Sequence, residues 1–303
     1  AHPKREDDAK MKLIRDYLTE PELAAHIQRS LDEDLGRGPA SGDHSSAASL
    51  DPDYQGIATL RAKESLVFAG CEVAEQVLHA VDPRLSIEWA HRDGEHLEPG
   101  TAVAHVEGPL PSLLRAERTL LNYVQRLSGV ATLTQSYRAL IADLPCRLLD
   151  TRKTTPGWRA LEKWAVHVGG GSNHRIGLYD MVMLKDNHID LAGGITQAVR
   201  RTERYLADRG LDLAIEVECR SLADVEEALG LEAITRIMLD NFTPAQCRTA
   251  VERISGRKET EASGGITRET LRAYAETGVT FISVGALTHS APAVDLNFKA
   301  RLL

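Results

Sequence analysis

Leu148–Ile189 reads LLDTRKTTPGWRALEKWAVHVGGGSNHRIGLYDMVMLKDNHI. Two short apolar runs in and around it, RLLDTRK and MVMLKDN, break off in charged residues, and helical sequence follows each. Four runs further on behave the same way: LAIEVEC, RIMLDN, EASGG and FISVGA. Their polar ends fall near 152, 185, 218, 240, 264 and 285, at intervals of 21 to 33 residues. That rhythm suits repeated βα units. Strands covered on both faces read as continuous apolar runs, the pattern of a parallel sheet. Charge at the carboxyl end of run after run is how α/β barrels build their sites. Six such strands are fewer than the usual eight, and periodicity alone leaves an open doubly wound sheet as the alternative.

Upstream the pattern differs. Thr19 and Glu22 have capping-box spacing, Pro21 suits a first turn, and Leu23, Ile27, Leu31 and Leu35 recur at helical period until Gly36. GRGPASGDHSSAASLDPDYQG then reads as a loop. GIATLRAKESLVFAG predicts two short strands around a polar turn, and CEVAEQVLHAV a helix. SIEWAHRDGEHL and TAVAHVEG predict further strands separated by Asp-Gly and Pro-Gly turns. Residues 20 to 110 therefore form an α+β segment with an antiparallel sheet. From Pro111 to Asp143 the pattern is helical, with Ser128-Gly129 as an expected break into two helices.

The chain has 303 residues and a formal net charge of −8. From Asp150 to Lys185, however, six Lys/Arg (Arg152, Lys153, Arg159, Lys163, Arg175, Lys185) face three acids (Asp150, Glu162, Asp180). The window is therefore +3 and the remainder −11. A local cation cluster in an acidic protein points to a small, highly charged anion. It speaks against nucleic acid, whose partners carry a basic domain or stripe. Cys71, Cys146, Cys219 and Cys247 are scattered, with no CxxC pair, so a reduced cytoplasmic setting is expected. No apolar run is long enough to cross a bilayer. The polar start shows no apolar signal core, and residues 1 to 18 are expected to be a mobile arm.

With the six strand ends on one rim, Arg152, Lys153 and Lys185 face Glu218 and Asp240, while His174 and Arg175 reach in from a loop. Arg forks suit planar carboxylates. The Gly-containing ends, Ser263–Gly265 and Ser283–Ser290, suit a phosphate held by backbone N–H groups. Two acids on the rim suit Mg²⁺, an oxygen-seeking ion that bridges phosphates. His167 in WRALEKWAVHV reads as structural, and Asp186 and His188 as loop caps. Spacing by itself stops at an α/β enzyme that binds phosphate and carboxylate.

DTRKTTPGWR, GGGSNHRIGLYDMVMLKDNHI, IEVEC, IMLDNF, ASGGI and ISVGALTHS, in that order, resemble the quinolinate phosphoribosyltransferases. AERTLLNYVQRLSGVATLT matches as well, and RAKESLVFAG more loosely; the resemblance covers roughly residues 20 to 300. It implies an incomplete, six-stranded α/β barrel with an N-terminal α+β open sandwich domain. The corresponding bounds are an arm at 1–18, a sandwich at 19–125 with 291–303 as a candidate addition, and a barrel at 126–290. It implies transfer of phosphoribose from 5-phosphoribosyl 1-pyrophosphate to quinolinate with decarboxylation, giving nicotinate mononucleotide, pyrophosphate and CO₂ in NAD biosynthesis. It also implies Mg²⁺ with no organic cofactor, and a homodimer that binds neither nucleic acid nor membrane.

Carried over by motif, Thr151, Arg152, His174, Arg175 and Lys185 lie at quinolinate, joined by Arg118 from the neighbouring subunit. Lys153, Glu218 and Asp240 are the catalytic group, facing ribose, pyrophosphate and Mg²⁺, with Glu218 and Asp240 as metal ligands directly or through water. Ser263, Gly264, Gly285 and His289 cradle the 5′-phosphate, with Arg159 as a further phosphate ligand. The early loop after DLG is longer and more polar than the family pattern.

The nearest competitor is a phosphoribosyltransferase acting on nicotinate or another pyridine, and the four cations Arg118, Arg152, Arg175 and Lys185 are generous for a single carboxylate. A phosphate-metabolite sensor has no need of Lys153, Glu218 and Asp240 together. An aldolase-like barrel using Lys153 or Lys185 as a Schiff base requires a partly neutral lysine among cations.

Overall fold

The computed structural model describes residues 12–303. In chain order the elements begin with α1 (Glu20–Leu35), α2 (His44–Ser49), β1 (Gln55–Ala62), β2 (Leu66–Val67), α3 (Cys71–Val81), β3 (Ser86–Trp89), β4 (His96–Leu97), β5 (Ala102–Pro109) and α4 (Leu110–Ala139). They continue with β6 (Arg147–Leu149), α5 (Arg159–Val168), β7 (Val182–Leu184), α6 (Asp186–Ala192), α7 (Ile195–Arg209), β8 (Ile215–Cys219), α8 (Leu222–Leu229) and β9 (Ile234–Asp240). The last are α9 (Pro244–Ile254), β10 (Glu259–Ser263), α10 (Leu271–Ala275), β11 (Phe281–Ser283), α11 (Ala286–His289) and β12 (Leu296–Leu302).

The chain forms two compact units. One comprises residues up to Gln135 together with Ala160–Gly170 and Ala291–Leu303; the other is Ser136–Arg159 with Gly171–Ser290. The expected boundary at 125/126 falls inside the continuous helix α4, and neither unit is a single stretch of chain.

In the first unit, α1 starts where its cap places it: the Glu22 carboxylate accepts from the Thr19 N–H at 2.8 Å and from its hydroxyl at 2.7 Å. Leu23, Ile27 and Leu31 form its buried stripe. The antiparallel sheet runs β12-β1-β5-β3. β1 alternates, turning Ala58, Leu60 and Ala62 inward. The two strands flanking Lys63-Glu64 do not pair with each other; β2 pairs with β4. The segment expected as an unbroken loop contains α2, because Asp43 caps it by accepting from the Ser46 N–H at 3.1 Å and the Ser46 hydroxyl at 2.5 Å.

The expected break at Ser128-Gly129 does not occur: α4 runs on for 30 residues. Both residues instead serve packing. The Ser128 hydroxyl accepts from the Ala69 N–H at 2.9 Å, and a Cβ on Gly129 would overlap the Pro292 carbonyl oxygen. The expected arm is also revised in part. Residues 1–11 lie outside the described residues, but Ile14 is buried, the Lys12 N–H donates to His167 Nε2 at 3.0 Å, and Trp164 donates to the Lys12 carbonyl at 3.1 Å. His167 is thereby structural.

The second unit holds the parallel sheet, in the order β6-β11-β10-β9-β8-β7. Strands consecutive in sequence are neighbours throughout, except that β6 and β7 lie at opposite edges. A doubly wound sheet reverses direction partway; this order is that of a barrel interrupted between β6 and β7. The structure is thus an incomplete, six-stranded α/β barrel. Strands β8 and β11 are buried along their whole length, as helix-covered parallel strands must be. Register levels the carboxyl ends: Leu184 pairs with Val217, Asp240 with Ser263, and Ser283 with Leu149.

Candidate active site

The residues just past those paired ends are the ones the sequence singled out. Lys185 follows β7 beside Glu218 of β8; the Glu218 carboxyl is pushed above its usual range, first by burial and then by the charge of Asp240, with Lys185 acting against both. Asp240 closes β9, and the Asn241 amide donates to its carboxylate at 2.7 Å. Asn241 is held in turn by its backbone N–H to the Ser263 carbonyl, at 2.9 Å. After β10, Gly264 has φ +100°, and a Cβ there would lie 2.9 Å from the Asn241 nitrogen and 2.8 Å from its Cγ. Only glycine fits that turn. Ser263 and Ser283 touch through their hydroxyls at 3.1 Å. A Cβ on Gly285 would meet Lys153 Cδ at 3.0 Å and the His289 ring at 3.1 Å, so these three converge. Thr288 fixes the Lys153 backbone by donating to its carbonyl at 2.7 Å.

On the other side of the rim, Thr151 turns the chain by accepting the Lys153 N–H at 3.1 Å. Arg152 is half-buried, and its Nε has no hydrogen-bond partner among the described residues. Arg175 is buried; burial and then the Arg152 charge lower the proton affinity of its guanidinium. It donates to the Met181 carbonyl at 3.1 Å. Two guanidiniums held near each other, one with an orphaned buried donor, make a receptor for a compact anion of more than one charge.

Arg159, expected at a substrate phosphate, reaches the 152–154 loop: it donates to Thr154 Oγ1 at 3.2 Å, the Ile176 carbonyl at 3.4 Å and the Arg152 carbonyl at 3.5 Å. His174, expected on a quinolinate carboxylate, is turned inward. Its Nε2 lies 3.0 Å from Glu216 and 3.2 Å from Glu261, and its Nδ1 accepts the Arg175 N–H at 2.7 Å. Both ring nitrogens are thus engaged by this chain. The +3 window, finally, is not one site: Lys163 lies in the first unit, where it is fully buried. Arg118 also belongs to the first unit, exposed on α4. His188 acts as the loop cap expected, its Nδ1 accepting the Lys185 N–H at 3.0 Å.

Sequence reasoning passed over Asp150, Glu216 and Glu261, all fully buried. Asp150 accepts from the Asn173 amide at 2.6 Å and the His174 N–H at 2.9 Å, anchoring the loop that carries Arg175. The available signal was a carboxylate inside an apolar run, as in IEVEC and TEASG, where burial demands a partner.

Residues 43–128 match the family model for the quinolinate phosphoribosyl transferase N-terminal domain, and residues 130–299 the model for its C-terminal domain. A protein of Oryza sativa subsp. japonica named nicotinate-nucleotide pyrophosphorylase [carboxylating], chloroplastic, is 45% identical over 92% of this chain and 77% of its own. Its counterpart in Arabidopsis thaliana is also 45% identical, over 92% of this chain and 82% of its own. The crystal structure of NadC from Streptococcus pyogenes superposes with a TM-score of 0.89 at 37% identity, covering 94% of this chain and 99% of that one. A nicotinate-nucleotide pyrophosphorylase structure from Francisella tularensis gives 0.87 at 34% identity, covering 96% and 100%.

Proposed function

The chain belongs to the quinolinate phosphoribosyltransferase family, and from that premise we propose how its residues divide the work. It is a decarboxylating pentosyltransferase: quinolinate and 5-phosphoribosyl 1-pyrophosphate give nicotinate mononucleotide, pyrophosphate and CO₂. The observation that carries the assignment of roles is the pairing of Arg152, with its orphaned buried Nε, and the buried Arg175. Quinolinate carries two adjacent carboxylates, and two guanidinium forks match them in charge and in planarity. Lys185 adds a third cation, and Arg118 of a partner subunit in a homodimer a fourth.

Lys153, Gly285 and His289 converge where a phosphate or pyrophosphate oxygen requires donors, with Ser263 and Gly264 on the neighbouring turn. Glu218 and Asp240 face the ribose. Loss of pyrophosphate develops positive charge on that ring, and two carboxylates stabilise it while Lys153 offsets the leaving charge. The pyridine nitrogen then attacks the anomeric carbon, and clamping both carboxylates supplies the orientation. The positive charge of the quaternised ring stabilises the electron pair left at C2 as CO₂ departs, and a proton from water then takes that position, so no organic cofactor is required.

Two like-charged carboxylates on adjacent strand ends, one already raised by burial and its neighbour, fit an oxygen-seeking divalent cation. Glu218 and Asp240 would hold Mg²⁺, directly or through water, and the ion would neutralise pyrophosphate charge. Among the described residues no helix is long and apolar enough to cross a membrane. All four cysteines are free and buried, which supports a reducing, cytoplasmic location.

The test is product identification by mass from quinolinate and, in parallel, nicotinate, each with phosphoribosyl pyrophosphate and Mg²⁺. Nicotinate mononucleotide from quinolinate, abolished by EDTA and by Lys153→Ala, is the expected result. Turnover of nicotinate alone would overturn the substrate assignment.

A further inference from the structure

His174, Glu216 and Glu261 form a closed cluster inside the barrel. Glu216 and Glu261 come from β8 and β10, with β9 between them, yet both reach one imidazole nitrogen, at 3.0 and 3.2 Å. Side chains from alternate strands share a layer in this way in a barrel interior. Both carboxylates are 0% exposed. Arg236 approaches Glu261 at 3.2 Å. Carboxylates this deep are costly, and their position calls for a task.

Burial works against a charged imidazole, but Glu216 and Glu261 outweigh it and lift His174 to about 9. The backbone pulls the other way. The Arg175 N–H is aimed at Nδ1 from 2.7 Å, and an imidazolium has no lone pair there. The short contact decides for the neutral ring with its proton on Nε2. The same contact argues against a metal ion among the three, since a ring bound through Nε2 carries its proton on Nδ1, where it donates outward.

Resting on the assignment of Arg175 to quinolinate, we propose that Glu216 and Glu261 are positioning residues for that substrate. They keep the His174 proton on Nε2, so Nδ1 remains an acceptor and fixes the backbone from which the Arg175 guanidinium projects. Asp150 holds the same loop from the other side through the Asn173 amide and the His174 N–H. A guanidinium that must meet a planar carboxylate with two bonds gains most from a fixed origin.

Measurements on the full chain with Mg²⁺ test this. In ¹⁵N-histidine-labelled protein, the His174 signal, assigned by its loss in His174→Leu, shows a protonated Nε2 and an unprotonated Nδ1 at neutral pH; a protonated Nδ1 overturns the proposal. In steady-state kinetics, the double variant Glu216→Leu/Glu261→Leu, which removes both acceptors from Nε2, raises the quinolinate KM about tenfold, as loss of a hydrogen bond to a charged group does. Its KM for phosphoribosyl pyrophosphate stays unchanged; equal change in both constants, or none, overturns the proposal. His174→Asn, whose amide oxygen replaces Nδ1, retains more quinolinate affinity than His174→Leu; equal losses overturn it. Metal analysis after dialysis returns no ion whose removal shifts the His174 signal, and a stoichiometric ion would make the cluster a metal site instead. Arg175→Ala separates the two levels: an unchanged quinolinate KM in that variant sinks the reading of Arg175 itself.

Discussion

Substituting Gly264 by Ala tests the link between backbone and chemistry at the rim. The native φ of +100° costs an L-residue roughly 1–2 kcal/mol. The new Cβ would stand 2.9 Å from the Asn241 nitrogen, so one turn has to retreat by about 0.6 Å or more to reach ordinary contact. Asn241 cannot yield without cost, because its N–H is bonded to the Ser263 carbonyl and its amide to the Asp240 carboxylate. The strain therefore reaches a proposed catalytic carboxylate. A shift of about 1 Å in a positioned group costs on the order of 100-fold in rate. The assay is steady-state kinetics varying each substrate in turn, alongside thermal unfolding. We expect kcat/KM for phosphoribosyl pyrophosphate to fall about 100-fold, with quinolinate KM little changed. The melting temperature should fall by about 2–4 °C per kcal/mol of strain. Adding Asn241→Gly removes the side-chain overlap but not the φ strain, so it should restore part of the loss. Wild-type kinetics for Gly264→Ala would refute the claim that this turn is fixed by Asn241.

Three further outcomes follow from the same geometry. Gly129→Ala forces a Cβ onto the Pro292 carbonyl inside the first unit; it should destabilise by about 1–3 kcal/mol or more in urea titration while leaving both substrate KM values alone. Arg152→Ala removes one of the two forks and should lower kcat/KM for quinolinate at least about 30-fold, the effect of about 2 kcal/mol, with a smaller effect for nicotinate wherever that analogue is turned over. Acid stability should depend on Asp82, whose carboxyl the Arg84 guanidinium and then the Ser112 hydroxyl hold well below the usual range. A depressed folded pKa gives stability that is complete above the unfolded value of about 3.9 and is lost as pH falls through the folded one. Urea midpoints of Asp82→Asn should thus lie below wild type at pH 7, with the gap starting to shrink below about pH 4 and closing only as pH falls through the depressed folded value; a gap that stays constant as pH falls below about 4 would contradict the linkage.

Much of the molecule was legible in the chain because the information was local. The six runs ending near 152, 185, 218, 240, 264 and 285 mark strands β6 to β11, since a strand covered on both faces has no choice but to be apolar until it surfaces. Thr19 and Glu22 name the start of α1 because a cap bridges residues three apart. The cations Arg152, Arg175 and Lys185 stood out against an acidic background.

What the chain did not reveal involves partners far apart in sequence. Ser128-Gly129 has the composition of a helix break, and only the approach of Pro292 and the backbone of Ala69 shows why small residues sit in an unbroken helix. Arg159 and Arg175 look alike as cations; only the fold shows that loop carbonyls surround Arg159 while Arg175 lies near the orphaned donor of Arg152. Glu216 and Glu218 share one face of β8, two residues apart, yet one lies deep in the barrel and the other at its rim. Strand periodicity assigns both the same direction, and only barrel closure, by bringing β10 and the His174 loop over Glu216, gives them different chemistry. Sequence by itself fixes which residues are apolar, capped or charged, because those properties belong to neighbours along the chain; which charges meet is decided by tertiary structure, because a buried carboxylate is defined by what lies across the core from it.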